Sequence, residues 1–148
     1  MGTTTAYLKH IKGITFVGKS KSNHWVNMDG PEEFGGSHAG SSPKELLLLS
    51  LAGCTASDVA SILKKKRVIF SDFEINVTAD VMEEHPKVFT KIDLEYVIYG
   101  TDVQPKDVER AIELSQSTYC AVTAMLKKAV EINHTFRIEE TNNQSVVV

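Results

Sequence analysis

Three observations predict an α+β fold. Strand-like and helix-like runs come in blocks rather than in strict alternation. One long apolar stretch opens with a complete helix-start signal, and two later segments alternate between apolar and polar residues. The 148 residues, 42% of them hydrophobic, suffice for a sizeable core, and 1–148 reads as a single domain.

Up to Met28 the chain reads as extended. Tyr7–Lys12, Ile14–Val17 and His24–Met28 are β-prone runs broken by Gly13 and by the polar stretch Lys19–Asn23. Asp29 to Ser42, rich in glycine and small polar residues, reads as a long loop without a regular element. Ser42 as cap, Pro43 at the first helical position and Glu45 closing a capping box then start a helix expected to reach Lys66. Its first half, Leu46–Ala52, is apolar on nearly every side and should be covered all round, which one chain of this size does poorly and a dimer does well. Gly53 in mid-helix costs about 1 kcal/mol relative to Ala, so close approach of another backbone is expected there.

Phe73–Val81 and Val88–Tyr99 are the alternating strands, joined as a hairpin through Glu83–Lys87. A second helix opens at Pro105, carries Val108, Ala111, Ile112 and Leu114 at core spacing, and falters at Ser115–Thr118. A third is expected from about Thr118 to Val130, and Thr135–Ile138 supplies a last strand.

Lys and Arg total 16 against 19 Asp and Glu, a net charge of −3, and Lys64–Arg67 is the only basic run, a solvated helix end. Nucleic acid is not an expected partner. The first residues lack the apolar core of a signal peptide, and Leu46–Cys54 falls short of the roughly 20 residues a bilayer requires. A cytoplasmic protein with no membrane partner is expected. The five histidines, His10, His24, His38, His85 and His134, occur singly, so no metal site or cofactor is expected. Trp25, Phe34 and Phe16 read as core packing.

The chain has two cysteines, Cys54 and Cys120, too few for a disulfide scaffold and without zinc-site spacing. Cys54 lies well inside its helix, beyond the field of the helix start, and needs a nearby cation to ionise. Cys120, with Ser117 or Thr118 as cap, falls in a first turn, which makes it the more acidic of the two by local sequence. Taken locally, both also read as small buried hydrophobes, and Glu45 as a capping residue.

The run Ser42-Pro43-x-Glu45-Leu46-Leu47-Leu48-x-Ser50-Leu51-Ala52-x-Cys54-Thr55, followed by Asp58-Val59 and by the distant Tyr119-Cys120-x-Val122, resembles the OsmC/Ohr family of thiol proteins. The resemblance implies antiparallel sheets packed on a long central helix in an intertwined homodimer, with each active site between subunits. It implies cysteine-dependent reduction of organic hydroperoxides, with Cys54 as the attacking thiol and Cys120 closing a Cys54–Cys120 disulfide that a dithiol such as a lipoylated protein reduces. A thiolate is the nucleophile such chemistry needs, and a second thiol nearby prevents over-oxidation.

In the peroxidases of this family a glutamate directly follows the proline, and an arginine from the N-terminal strands stabilises the thiolate. Here Lys44 follows Pro43, Glu45 comes one position later, turned by about 100° around the helix, and no arginine precedes Arg67. Lys9, Lys12 and Lys44 are the candidate substitutes for the charge, and Glu45 and Lys44 join the cysteines as lesser candidate site residues. The alternative reading is a dimeric module that binds a small hydrophobic ligand between subunits without turnover.

Overall fold

The structure, a computed structural model, describes residues 1–141. Among these described residues the fold is mixed α+β, with two three-stranded sheets and three α-helices. Two compact units make it up, Met1–Leu49 and a second from Ser50 onward.

In the first unit, β1 (Ala6–Lys12), β2 (Thr15–Ser20) and β3 (Val26–Met28) form an antiparallel sheet in that order. β2 continues through Lys19 and Ser20, which sequence composition marks as a break, because Ala6 and Tyr7 offer them ladder partners. Trp25 and Phe34, expected in the core, are exposed; Trp25 packs edge-on against Tyr7 with the Lys19 ammonium over its ring.

The loop after β3 is organised by one carboxylate. Asp29 is buried and accepts from the backbone N–H groups of Gly30, Ser37 and Ala39 at 2.8, 3.1 and 3.1 Å, and from the Thr15 hydroxyl at 2.8 Å. A single 3-10 turn, Glu32–Phe34, lies inside it. Gly36 has no tolerance for a side chain, since a Cβ there would collide with the Gly30 carbonyl.

α1 (Pro43–Lys65) starts where the sequence says it should. The Ser42 N–H donates to Glu45 Oε2 at 2.7 Å and the Glu45 N–H to Ser42 Oγ at 3.3 Å, a reciprocal capping box. At 23 residues the helix is long and apolar enough, by length and composition, to cross a bilayer. Its buried residues, however, recur every fourth position at Leu51, Thr55, Val59 and Leu63, the stripe of a helix packed on a core. The all-round covering expected for its first half is not seen among the described residues: Leu47 and Leu49 are exposed, and apart from the helix's own backbone none of those residues comes within 4 Å of a Cβ placed on Gly53.

In the second unit, β4 (Asp72–Val81), β5 (Phe89–Gly100) and β6 (Glu131–Glu140) form a sheet with β5 at its centre. β4 and β5 are antiparallel in the expected alternating register, Ile75 opposite Tyr96 and Val77 opposite Leu94. β5 and β6 run parallel, which corrects the expectation of purely antiparallel sheets. A parallel pair needs a long crossover, and α2 (Pro105–Leu114), a π-helical turn (Ser115–Tyr119) and α3 (Ala121–Leu126) supply it. α3 is much shorter than the segment expected from Thr118 to Val130, and β6 is longer than Thr135–Ile138. The core of this unit joins Ile92, Leu94, Tyr96 and Ile98 of β5 to Val108 and Ile112 of α2 and to the α1 stripe.

Candidate functional site

Cys54 is half-buried on α1 and Cys120 is buried directly before α3, and both are free thiols. Although far apart in sequence, they are close enough for the Cys54 thiol to raise the pKa of Cys120. Cys120 owes its place to the π-helical turn. Its N–H donates to the Ser115 carbonyl at 2.8 Å, a five-residue step that widens the turn and ends it in extended backbone at Cys120.

Cys120 is itself the cap of α3, its sulfur accepting from the Thr123 N–H at 3.3 Å. Burial nevertheless pushes the Cys120 thiol up, and the adjacent Cys54 sulfur pushes the same way, against the Thr123 hydroxyl and N–H that favour the thiolate. This reverses the expectation of an acidic Cys120. The helix-field argument counted the α3 dipole but not the removal of the sulfur from water.

Around the thiol pair lies a cluster of neutral polar side chains that sequence reasoning missed. Thr55, the residue after Cys54, is fully buried; its hydroxyl meets Tyr96 OH at 2.7 Å and Ser115 Oγ at 2.8 Å, and accepts from Gln116 Nε2 at 3.0 Å. Gln116 also donates to Tyr96 OH at 3.0 Å, and Ser115 donates to Asp58 Oδ2 at 2.9 Å. Thr123 Oγ1 reaches Gln116 Oε1 at 3.5 Å. Burial holds the Tyr96 phenol above its ordinary pKa, so it stays protonated. One signal of this cluster was legible: a threonine occupies a position in the otherwise apolar stripe Leu51-Thr55-Val59-Leu63. Asp58, where the network ends, lines a cleft of about 400 Å³ together with Lys65, Lys66, Leu114 and Tyr119.

Glu45 has its carboxylate in the capping box and Lys44 is exposed in the first turn of α1. Arg110 pairs with Glu113 at 2.9 Å, and Arg137 with Glu139 and Glu95. Arg67 sits just past the α1 end with φ of 59°. Among the histidines, His10 bonds the Gly13 carbonyl and His134 packs edge-on against Tyr96. No group of three or more metal-ligating side chains occurs among the described residues.

Residues 35–135 match the family model for OsmC-like protein, a span holding both cysteines and the whole hydroxyl cluster. The chain belongs to the OsmC-like protein family. Protein YhfA of Escherichia coli K12 is 41% identical over 133 residues, 90% of this chain and 96% of that protein. A solved structure from Aquifex aeolicus VF5, described as a hypothetical protein, is 31% identical with a TM-score of 0.83, covering 96% of this chain and all of that one. An organic hydroperoxide resistance protein OsmC from Legionella pneumophila, 16% identical, shares the fold with a TM-score of 0.67 over 92% of this chain and 97% of its own.

Proposed function

We propose that this OsmC-like protein reduces organic hydroperoxides through its two cysteines. The observation that carries the reading is the proximity of two free thiols that lie far apart in the sequence, one half-buried and one buried, the first perturbing the ionisation of the second. The Cys54 thiolate attacks one peroxide oxygen and the O–O bond breaks; the alkoxide takes a proton and leaves as the alcohol, and Cys54 becomes a sulfenic acid. The Cys120 thiolate then attacks that sulfur, forming the Cys54–Cys120 disulfide, while the displaced hydroxide takes a proton and leaves as water. An external dithiol, such as a lipoylated protein, returns both sulfurs to thiols.

We also propose that an organic rather than an inorganic peroxide is the substrate, taken in an apolar cleft completed by a second copy. We further propose a cytoplasmic homodimer, in which a second copy covers the exposed Leu47, Leu49 and the open side of Gly53.

A second reading has its own support. Glu45 is engaged at the helix cap, Arg110 and Arg137 are engaged in surface ion pairs, and the cluster beside the thiols is made of neutral donors. A thiol pair that no cation is seen to bond among the described residues suits a dimeric module that holds a small hydrophobic ligand and does not turn over.

One measurement separates the two. A stoichiometric amount of cumene hydroperoxide is added to reduced protein and free thiols are counted. The peroxidase reading expects rapid loss of both thiols, abolished in Cys54→Ser. Thiols that persist over minutes exclude it and leave the binding module. For the dimer, a 16.3 kDa species in sedimentation at micromolar concentration excludes the assembly.

A further inference from the structure

Gln116 touches the neighbours of both sulfurs. Its amide N–H₂ donates to Thr55, the residue after Cys54, and to Tyr96 OH. Its carbonyl faces the Thr123 hydroxyl, and Thr123 is the residue whose N–H caps the Cys120 sulfur. Gln116 itself rides on the π-helical turn that ends at Cys120, and Ser115 beside it pins that turn to Asp58 and Thr55 of α1. The turn is thus held at two successive residues, both on the position next to Cys54.

The Thr123 hydroxyl is the loosely held member of this arrangement. Its 3.5 Å contact with Gln116 Oε1 is long for an O–H donor, whose usual range ends near about 3.0 Å. The N–H of the same residue holds the Cys120 sulfur at 3.3 Å, which keeps the hydroxyl close to that sulfur, where it favours the thiolate. A single O–H proton serves one acceptor well at a time, so the two acceptors compete for it. With Cys120 as a thiol, the carbonyl is the better acceptor; with Cys120 as a thiolate, the charged sulfur is.

We infer that Gln116 and Thr123 are positioning residues for the second thiol: Gln116 sets the turn that presents Cys120 to Cys54, and Thr123 moves its hydroxyl bond from Gln116 to the Cys120 sulfur as that sulfur ionises. The inference deepens the peroxidase reading, since it assigns residues to the disulfide-forming step. The titratable groups near Cys120 are Cys54 on α1, Tyr96 on β5 and the adjacent Tyr119, with Asp58 reached through Ser115. Lys65 and Lys66 line the cleft shared by Asp58 and Tyr119, Lys66 in an ion pair with Asp107, and among the described residues it is Thr123 that bonds the Cys120 sulfur and meets the developing charge.

The test needs no peroxide. One equivalent of dithiodipyridine is added to reduced protein. The Cys54 thiolate attacks a reagent sulfur, forms a mixed disulfide and releases one thiopyridone. The Cys120 thiolate then attacks the Cys54 sulfur, forms the Cys54–Cys120 disulfide and expels the second thiopyridone, its own proton having gone to solvent. The wild type should release two thiopyridones per chain in two phases, the second accelerating with rising pH.

Thr123→Val, which keeps shape and the backbone N–H but removes the hydroxyl, should slow the second phase about tenfold and move its pH profile upward, and Thr123→Ser should restore both. Gln116→Met should slow the second phase, and it carries the test if Thr123→Val is unstable. Wild-type rates and profiles in Thr123→Val and Gln116→Met overturn the inference, as does a wild type that releases only one thiopyridone. A protein inert to cumene hydroperoxide yet showing these shifts defeats the peroxidase reading and leaves the positioning role standing.

Discussion

The Asp29 loop and the Thr55 cluster face the same difficulty, polar groups removed from water, and meet it with opposite chemistry. At Asp29 one carboxylate gathers three backbone N–H groups and a hydroxyl. Burial alone would raise its pKa, but the bonds from Gly30, Thr15, Ser37 and Ala39 outweigh that and bring it down to about 2. At Thr55 the bonded partners are hydroxyls and an amide, with the one carboxylate, Asp58, at the far end of the chain. A charge suits a loop whose N–H groups have no ladder partner. Beside two thiols a buried anion would oppose ionisation of either, and neutral groups avoid that cost.

Removing the hub of the neutral cluster should give the largest effect. Thr55→Val preserves shape and deletes a hydroxyl with three partners, leaving Tyr96, Ser115 and Gln116 each one bond short in a buried site. Unsatisfied buried groups cost about 1–3 kcal/mol each, partly recovered by rotation, so a loss of about 2–3 kcal/mol in urea unfolding is expected. A loss below about 0.5 kcal/mol would mean that the cluster rearranges freely and does not fix the thiol pair.

Asp29→Asn tests the charged half of the comparison, with a smaller expected drop of a few degrees in Tm at neutral pH. The pH dependence is more diagnostic. The folded pKa of about 2 lies below the ordinary 3.8, so the carboxylate's contribution is present in full above 3.8 and is lost as pH falls through about 2. The Tm gap between wild type and Asp29→Asn should therefore close across that interval. A gap that stays constant down to the lower end would show that the charge is not what holds the loop.

The same contrast explains what the sequence made legible. The start of α1 was readable because the capping box and Pro43 act within four residues, and the β4–β5 register because alternation is local. The parallel β6 was not, since its polar positions Asn133, His134 and Thr135 mask the alternation and its direction depends on a crossover of two helices and a turn. The run Ser115–Thr118 showed only as a faltering helix. Its π form depends on Ser115 bonding Asp58 and Thr55 on a distant helix. At the candidate site both cysteines were singled out from motif spacing, yet their environment was not. Burial of Cys120 and the roles of Thr55, Tyr96, Gln116 and Thr123 arise from tertiary placement of residue types that are common on surfaces.

Glu45 gives the smallest effect and sharpens the comparison at its edge, because it is a carboxylate whose site role and cap role make different demands. In the cap, Oε2 accepts from the Ser42 N–H, and an amide oxygen can do the same. Glu45→Gln should therefore keep most of the stability, while Glu45→Ala should lose about 0.5–1 kcal/mol through the cap and the helix dipole. If Glu45 only caps α1, thiol loss to cumene hydroperoxide proceeds equally in wild type and in Glu45→Gln. If its charge instead orients a cation toward Cys54 across a dimer, Glu45→Gln slows that loss while unfolding at the wild-type urea concentration. A mutant stable but slow would move Glu45 from the helix start into the chemistry, and would give the thiol site the charged partner that its neutral surroundings lack.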